Sequence, residues 1–148
     1  MLRDRNLIPL SHQHQHALAL CVQVDRSLQA GTADVEALQA QIRTMFNLEI
    51  RGHFAAEEEA LFPEAAAFAE LKPLVDRLLG EHVSLRDYFA RAERRELTAA
   101  TLREFAQLLS THIRREEREL FEACQRLFPA EKLAAVGAAL DTALHRTT

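Results

Sequence analysis

The sequence predicts an all-α fold, an up-down-up-down four-helix bundle with a short extra C-terminal helix. Three observations carry this. Gly and Pro are scarce, with four of each in 148 residues, so little interrupts a helix. Ala, Leu, Glu, Arg and Gln dominate, and all are good helix formers. Apolar residues recur at helical spacing through long segments, and no segment alternates apolar and polar residues as a strand does. The length suits a single domain spanning 1–148, with the bundle over about 8–128 and the last helix over about 129–146.

The elements follow in order. Ser11 can cap a first helix that runs to about Ala30, where Gly31 is a natural stop. Thr32 or Asp34 opens a second, long helix that ends near Pro63. Pro73 suits the first turn of a third helix, which reaches about Arg95. Thr98 can cap a fourth, ending about Leu127. Pro129 then starts a short fifth segment with Leu133, Val136, Leu140 and Leu144 on one face. Short connections make neighbouring helices antiparallel. The last helix is expected to cover one end of the bundle or to join a homodimer contact.

Charge and cysteine usage exclude several classes. A net charge of -4 argues against nucleic acid or an anionic membrane as the main partner. The basic clusters Arg91, Arg94, Arg95 and Arg114, Arg115, Arg118 are interleaved with Glu, so they are expected on solvated faces. Cys21 and Cys124 fit no CxxC motif. They are expected to be buried, inert thiols. The opening Met1-Leu2-Arg3-Asp4-Arg5-Asn6 lacks the apolar stretch of a signal peptide, and no apolar run approaches the roughly 20 residues of a membrane span. A cytoplasmic location is the expectation.

One internal repeat marks helices two and four. His53-Phe54-Ala55-Ala56-Glu57-Glu58-Glu59-Ala60-Leu61-Phe62 matches His112-Ile113-Arg114-Arg115-Glu116-Glu117-Arg118-Glu119-Leu120-Phe121, with His, Glu, Glu, Leu and Phe in identical register. Each copy holds His-x-x-x-Glu, whose ends share a helix face with Cβ atoms roughly 5–6 Å apart. An exposed pair of this kind is commonplace. These pairs sit on the apolar stripes Phe46, Ile50, His53, Glu57, Leu61 and Leu102, Phe105, Leu109, His112, Glu116, Leu120. Helix three offers Val75, Leu78, His82, Leu85, Phe89, and helix one Leu10, His14, Ala17, Cys21, Val24, Leu28.

A histidine thus interrupts the core-facing stripe of all four helices. A lone core histidine has an ordinary structural explanation. Four of them with two glutamates do not, because buried charges must be paired or bind metal. Helix one also carries His12 and His16, but their face continues through the wetter Leu20, Gln23 and Ser27, which selects His14. Imidazole with carboxylate suits Fe, Mn or Zn, and a bridging carboxylate pair in a bundle suits two Fe ions.

At this point the chain resembles the hemerythrin-like, or HHE cation-binding, family over about Ile8 to Phe128. The residues that carry the resemblance are Leu10-Ser11 with His14, His53-Phe54…Glu57-Glu58…Leu61-Phe62-Pro63, Glu81-His82, and His112…Glu116-Glu117…Leu120-Phe121. The resemblance implies a four-helix bundle around an oxygen-bridged di-iron site. His14, His53, His82 and His112 would be terminal ligands, with Glu57 and Glu116 bridging. Oxygen-carrying hemerythrins have a fifth histidine, from an H-x-x-x-H pair on helix three, where this chain has Leu78. They also carry Asp, at a longer spacing, where this chain has Glu116. The four-His, two-Glu set is similar to that of hemerythrin-like proteins linked to nitric oxide stress and iron–sulfur cluster repair.

The function expected is a non-haem di-iron protein that binds, senses or reacts with O2, NO or peroxide. The alternatives are a non-catalytic module for iron storage or metal-dependent regulation, and a structural Zn-binding bundle. Glu58, Glu81 and Glu117 lie about 100° round the helix from the stripe residues. They are expected to serve ion pairs more than to accept from a histidine N–H. Tyr88 suits either packing or a hydrogen bond beside the site. Leu18, Leu61, Phe89, Phe105 and Leu120 are expected to exclude water.

Overall fold

The helices of the chain begin and end on local signals, seen in a computed structural model that describes residues 1–146. Helix α1 is Ile8–Ala30. Gly31 closes it at φ 70°, a left-handed conformation that glycine adopts without a Cβ penalty. Pro9 stands in the first turn, so α1 begins ahead of Ser11, and Ser11 is no cap. Its hydroxyl instead donates to Glu117 at 2.7 Å.

Helix α2 covers residues 35–66. Of the two expected caps Asp34 serves, accepting the Ala37 N–H at 3.1 Å. Two π-helical turns interrupt α2, at Phe46–Ile50 and Glu57–Leu61. The helix does not end at Pro63. A fresh α-helical turn starts at Phe62, and a residue without an N–H is tolerated in a first turn.

Helix α3 is Lys72–Glu93, with Pro73 in its first turn and Arg95 left-handed just beyond its end at φ 60°. Helix α4 covers residues 99–127, with a third π turn at Glu116–Leu120. Thr98 caps it in a reciprocal capping box with Thr101. Helix α5 is Ala130–His145, directly after Pro129. No strand occurs among the described residues.

Two apolar clusters fill the bundle. One gathers Leu10, Ala60, Leu61, Leu78 and Leu120, the other Ala17, Ile50, Leu85, Leu109 and Ile113. Along α1 the order is Leu10, His14, Ala17, and along α3 it is Leu78, His82, Leu85. Along α2 and α4 the order reverses, with Ile50 before Leu61 and Leu109 before Leu120. The helices therefore run up, down, up, down, and the four histidines form a polar layer between the clusters.

Helix α5 adds Leu133, Val136, Leu140 and Ala143 to the first cluster, with Leu144 partly buried against it. It covers the bundle at that end. Its close approach needs Gly137, because a Cβ there would lie 2.7 Å from Asn6 Cβ. Among the described residues no helix is long and apolar enough to cross a membrane.

Candidate metal centre

Each helix of the bundle supplies the centre from the same level. His14 comes from α1, His53 and Glu57 from α2, His82 from α3, and His112 and Glu116 from α4. All six are buried, with Glu57, His82 and Glu116 at 0% exposure. They form two overlapping groups that could each hold a metal ion: His14, His53, Glu57, Glu116 and Glu57, His82, His112, Glu116. Both glutamates belong to both groups. His12 and His16 stay outside, on the surface, where the His16 ring meets Glu49 at 2.9 Å.

The inward atoms lie close, and only His14 Nε2 and Glu116 Oε1 form a hydrogen bond among them. His14 Nε2 is 2.9 Å from Glu116 Oε1, and His82 Nε2 is 3.3 Å from Glu57 Oε1. His53 Nε2 to Glu57 Oε2 and His112 Nε2 to Glu116 Oε2 each measure 3.5 Å. Buried atoms with no hydrogen-bond partner include Nε2 of His53, His82 and His112, both oxygens of Glu57, and Oε2 of Glu116. Orphaned buried polar groups are costly and rare. All but Arg3 Nε converge on one centre, and their chemistry is that of a cation's donor set.

The outward nitrogens are all engaged. Nδ1 of His14 bonds Glu117 at 2.6 Å, that of His82 bonds Glu58 at 2.6 Å, and that of His112 bonds Glu81 at 2.8 Å. Nδ1 of His53 bonds the Gln13 side-chain oxygen at 2.8 Å. Placing the proton on Nδ1 leaves Nε2 free to face inward. Glu58, Glu81 and Glu117 were expected to serve ion pairs, and they do both. Arg86 donates to Glu58 at 2.6 Å, Arg115 to Glu81, and Arg3 lies 3.3 Å from Glu117. Arg115 is therefore not on a solvated face.

Titration of the metal-free centre reflects this crowding. Burial works against the charged form of His112, but Glu116 and Glu81 outweigh it and raise it to about 10. Burial likewise opposes charge on His14, and its bonds to Glu116 and Glu117 raise it to about 9. His53, which faces no close carboxylate on its outer side, is pushed down to about 3 by burial and by the charge of His14. Glu57 is raised by burial and by the neighbouring Glu116. Glu116 is held low, against its burial, by His112 and His14.

These shifts fix a pH dependence. Protonated His112 and His14 stabilise the metal-free fold fully below their ordinary value of 6.5, and this is lost as pH rises through about 10 and about 9. Neutral His53 acts oppositely, its contribution being lost as pH falls from 6.5 through about 3. Glu57, raised to about 8, also loses its contribution as pH rises, so the chelated protein should melt at progressively lower temperature as pH rises from 6.5 to 8. The rise in Tm on adding metal should grow from pH 6 to pH 8, as cations displace those protons. Melting curves with and without metal across this range check it.

Aromatic rings wall the centre, though not all those expected. Phe54 stacks on His82 with ring centroids 3.9 Å apart, and Phe121 on His14 at 5.6 Å. Phe62 tilts against His82 at 5.3 Å. Leu61 and Leu120 are fully buried beside them, while Phe89 lies behind Phe54 at 6.4 Å and Phe105 behind Phe89 at 5.3 Å. Leu18 is only partly buried. Tyr88 is partly buried against the second cluster, 6.0 Å from the Phe105 ring, and donates to Glu104 at 3.1 Å. Cys21 and Cys124 are buried and unpaired, with thiols pushed up to about 12 by that burial. A cavity opens beside the centre, lined by Gln13, His14, Glu49, His53, His112 and apolar residues including Ala17, Ile50 and Phe54. It leaves about 10 Å³ for the centre of a water-sized molecule.

Fold and site together define a helical bundle with a buried histidine–carboxylate centre suited to cations. Residues 9–124 match the Hemerythrin HHE cation binding domain, and the chain belongs to that family. No curated protein and no solved structure is similar enough to match.

Proposed function

We propose that the centre holds two iron ions and binds, senses or reacts with O2, NO or peroxide. In this reading His14, His53, Glu57 and Glu116 would hold one metal, and His82, His112, Glu57 and Glu116 the other. The observation that carries it is the set of buried inward Nε2 and carboxylate oxygen atoms around one point, six of them without partners. Bound iron would supply the redox chemistry and the coordination position for a small ligand.

The chain's own residues do the rest. Glu58, Glu81, Glu117 and Gln13 hold each ring's proton on Nδ1, so that Nε2 is presented as a donor. Phe54, Phe62, Phe121, Leu61 and Leu120 keep bulk water from the centre. The cavity beside His14 and His53 has room for one molecule of water size, which favours a diatomic or peroxide over an organic substrate.

The test is metal analysis of protein purified without added metal, followed by anaerobic ferrous loading. The expected result is about two irons per chain and a visible absorption change on adding O2 or NO. A folded protein that stays colourless and takes up no ferrous iron overturns the proposal. Zinc alone, with no response to either gas, returns the structural alternative.

A further inference from the structure

The four histidines differ in what holds their outer nitrogen. Three donate to a carboxylate that is itself paired with an arginine, giving the chains Arg3–Glu117–His14, Arg86–Glu58–His82 and Arg115–Glu81–His112. The fourth, His53, donates to the neutral amide oxygen of Gln13 at 2.8 Å. A carboxylate acceptor draws the Nδ1 proton and makes Nε2 a stronger metal donor, whereas an amide does so much less. The His82–His112 position has two carboxylate-backed rings. The His14–His53 position has one.

The same side borders the cavity more fully. Both of its rings, with Gln13 and Glu49, line the cavity beside the centre, against His112 alone from the other position, and Glu49 also faces the outer groove with His16. Phe54 and Phe62 pack on His82. On the two-metal reading above, we infer that Gln13 is a positioning residue that makes the His14–His53 position the weaker and more exchangeable of the two. The centre then fills at His82–His112 first.

Co(II) titrated into the metal-free full-length chain, against a competing chelator, tests this. Wild type should bind in two resolved steps. Gln13→Glu should tighten the weaker step about tenfold and leave the stronger one in place. Gln13→Ala should weaken that same step. Glu58→Gln, which places an amide on His82, should weaken the stronger step about tenfold. Coupling through the shared glutamates is common to all the chains, so it cancels from these changes. A purely structural role for Gln13 predicts no tightening in any variant. If Gln13→Glu leaves both steps unmoved, or moves the stronger, the inference is overturned. Should Gln13→Glu not fold, judged by its helical circular dichroism, Gln13→Ala and Glu58→Gln decide, since the first must weaken only the weaker step and the second only the stronger. Failure of wild type to bind two Co(II) overturns the two-metal reading instead.

Discussion

Glu116→Ala should empty both metal positions at once. Glu116 belongs to both groups that converge on the centre, and its oxygens lie 2.9 Å from His14 Nε2 and 3.5 Å from His112 Nε2. A substitution in a partner that only orients a ligand costs about 10–100-fold in metal affinity. Loss of a carboxylate common to both groups should cost more than that. Metal content after purification and dialysis should therefore fall below a tenth of wild type, by the same rough measure. His53→Ala should lower it sharply too. His12→Ala should not, since His12 lies on the surface and contacts the His16 ring, with centroids 4.8 Å apart. The measurement is metal per chain on variants of matched helical content. Full occupancy in Glu116→Ala, or an empty His12→Ala, shows that the ligands have been assigned to the wrong residues.

Without metal, Glu57→Met should make the protein more stable than wild type. Glu57 is fully buried and neither of its oxygens has a hydrogen-bond partner. Glu116 stands close enough to raise its carboxyl further. A buried polar group left without a hydrogen-bond partner costs about 1–3 kcal/mol, and the Met side chain removes that cost. His82 loses its 3.3 Å neighbour in this variant but keeps its 2.6 Å bond to Glu58. Excess metal should reverse the order, because only wild type gains stability from tight binding to its folded form. Denaturant titrations in chelator and in excess metal reveal the crossing. A Glu57→Met protein less stable than wild type in chelator refutes the claim that this carboxylate is a cost to the metal-free fold.

Much of the fold was legible because its signals are local. Gly31, Asp34, Pro73 and Thr98 act through their own backbone or their nearest turn, and each stands where the sequence places it. The separation of His14 from His12 and His16 was legible too, since helical periodicity alone puts His14 on the buried face. What failed depends on neighbours. Gln13 was overlooked because a glutamine beside a stripe residue looks like any surface residue, and only α2 gives it a partner. Glu58, Glu81 and Glu117 lie between core and solvent on their own helices, so which role each takes is set by the ring on an adjacent helix. The burial of Phe62 and Phe121, at 1% and 0% exposure, breaks the ideal helical spacing. So does the continuation of α2 through Pro63.

The π turns account for those last two results and constrain how the chain can change. In both copies of the repeat the turn starts at the glutamate, with the N–H of Phe62 reaching the Glu57 carbonyl and that of Phe121 the Glu116 carbonyl. Pro63 has no counterpart in α4, so proline is not the common cause. Each turn is in effect an α-helix carrying one surplus residue, and such turns are frequent at functional sites. Deleting a single residue between Glu57 and Phe62 would restore a regular helix and swing everything after it by about 100°. The histidine side would keep its phase, while Phe62 and Ala65 would leave the first cluster. Length between His53 and Phe62, and between His112 and Phe121, is therefore under tighter restraint than identity at Glu59 or Glu119, both exposed. Substitutions there should be absorbed, whereas one-residue deletions should not.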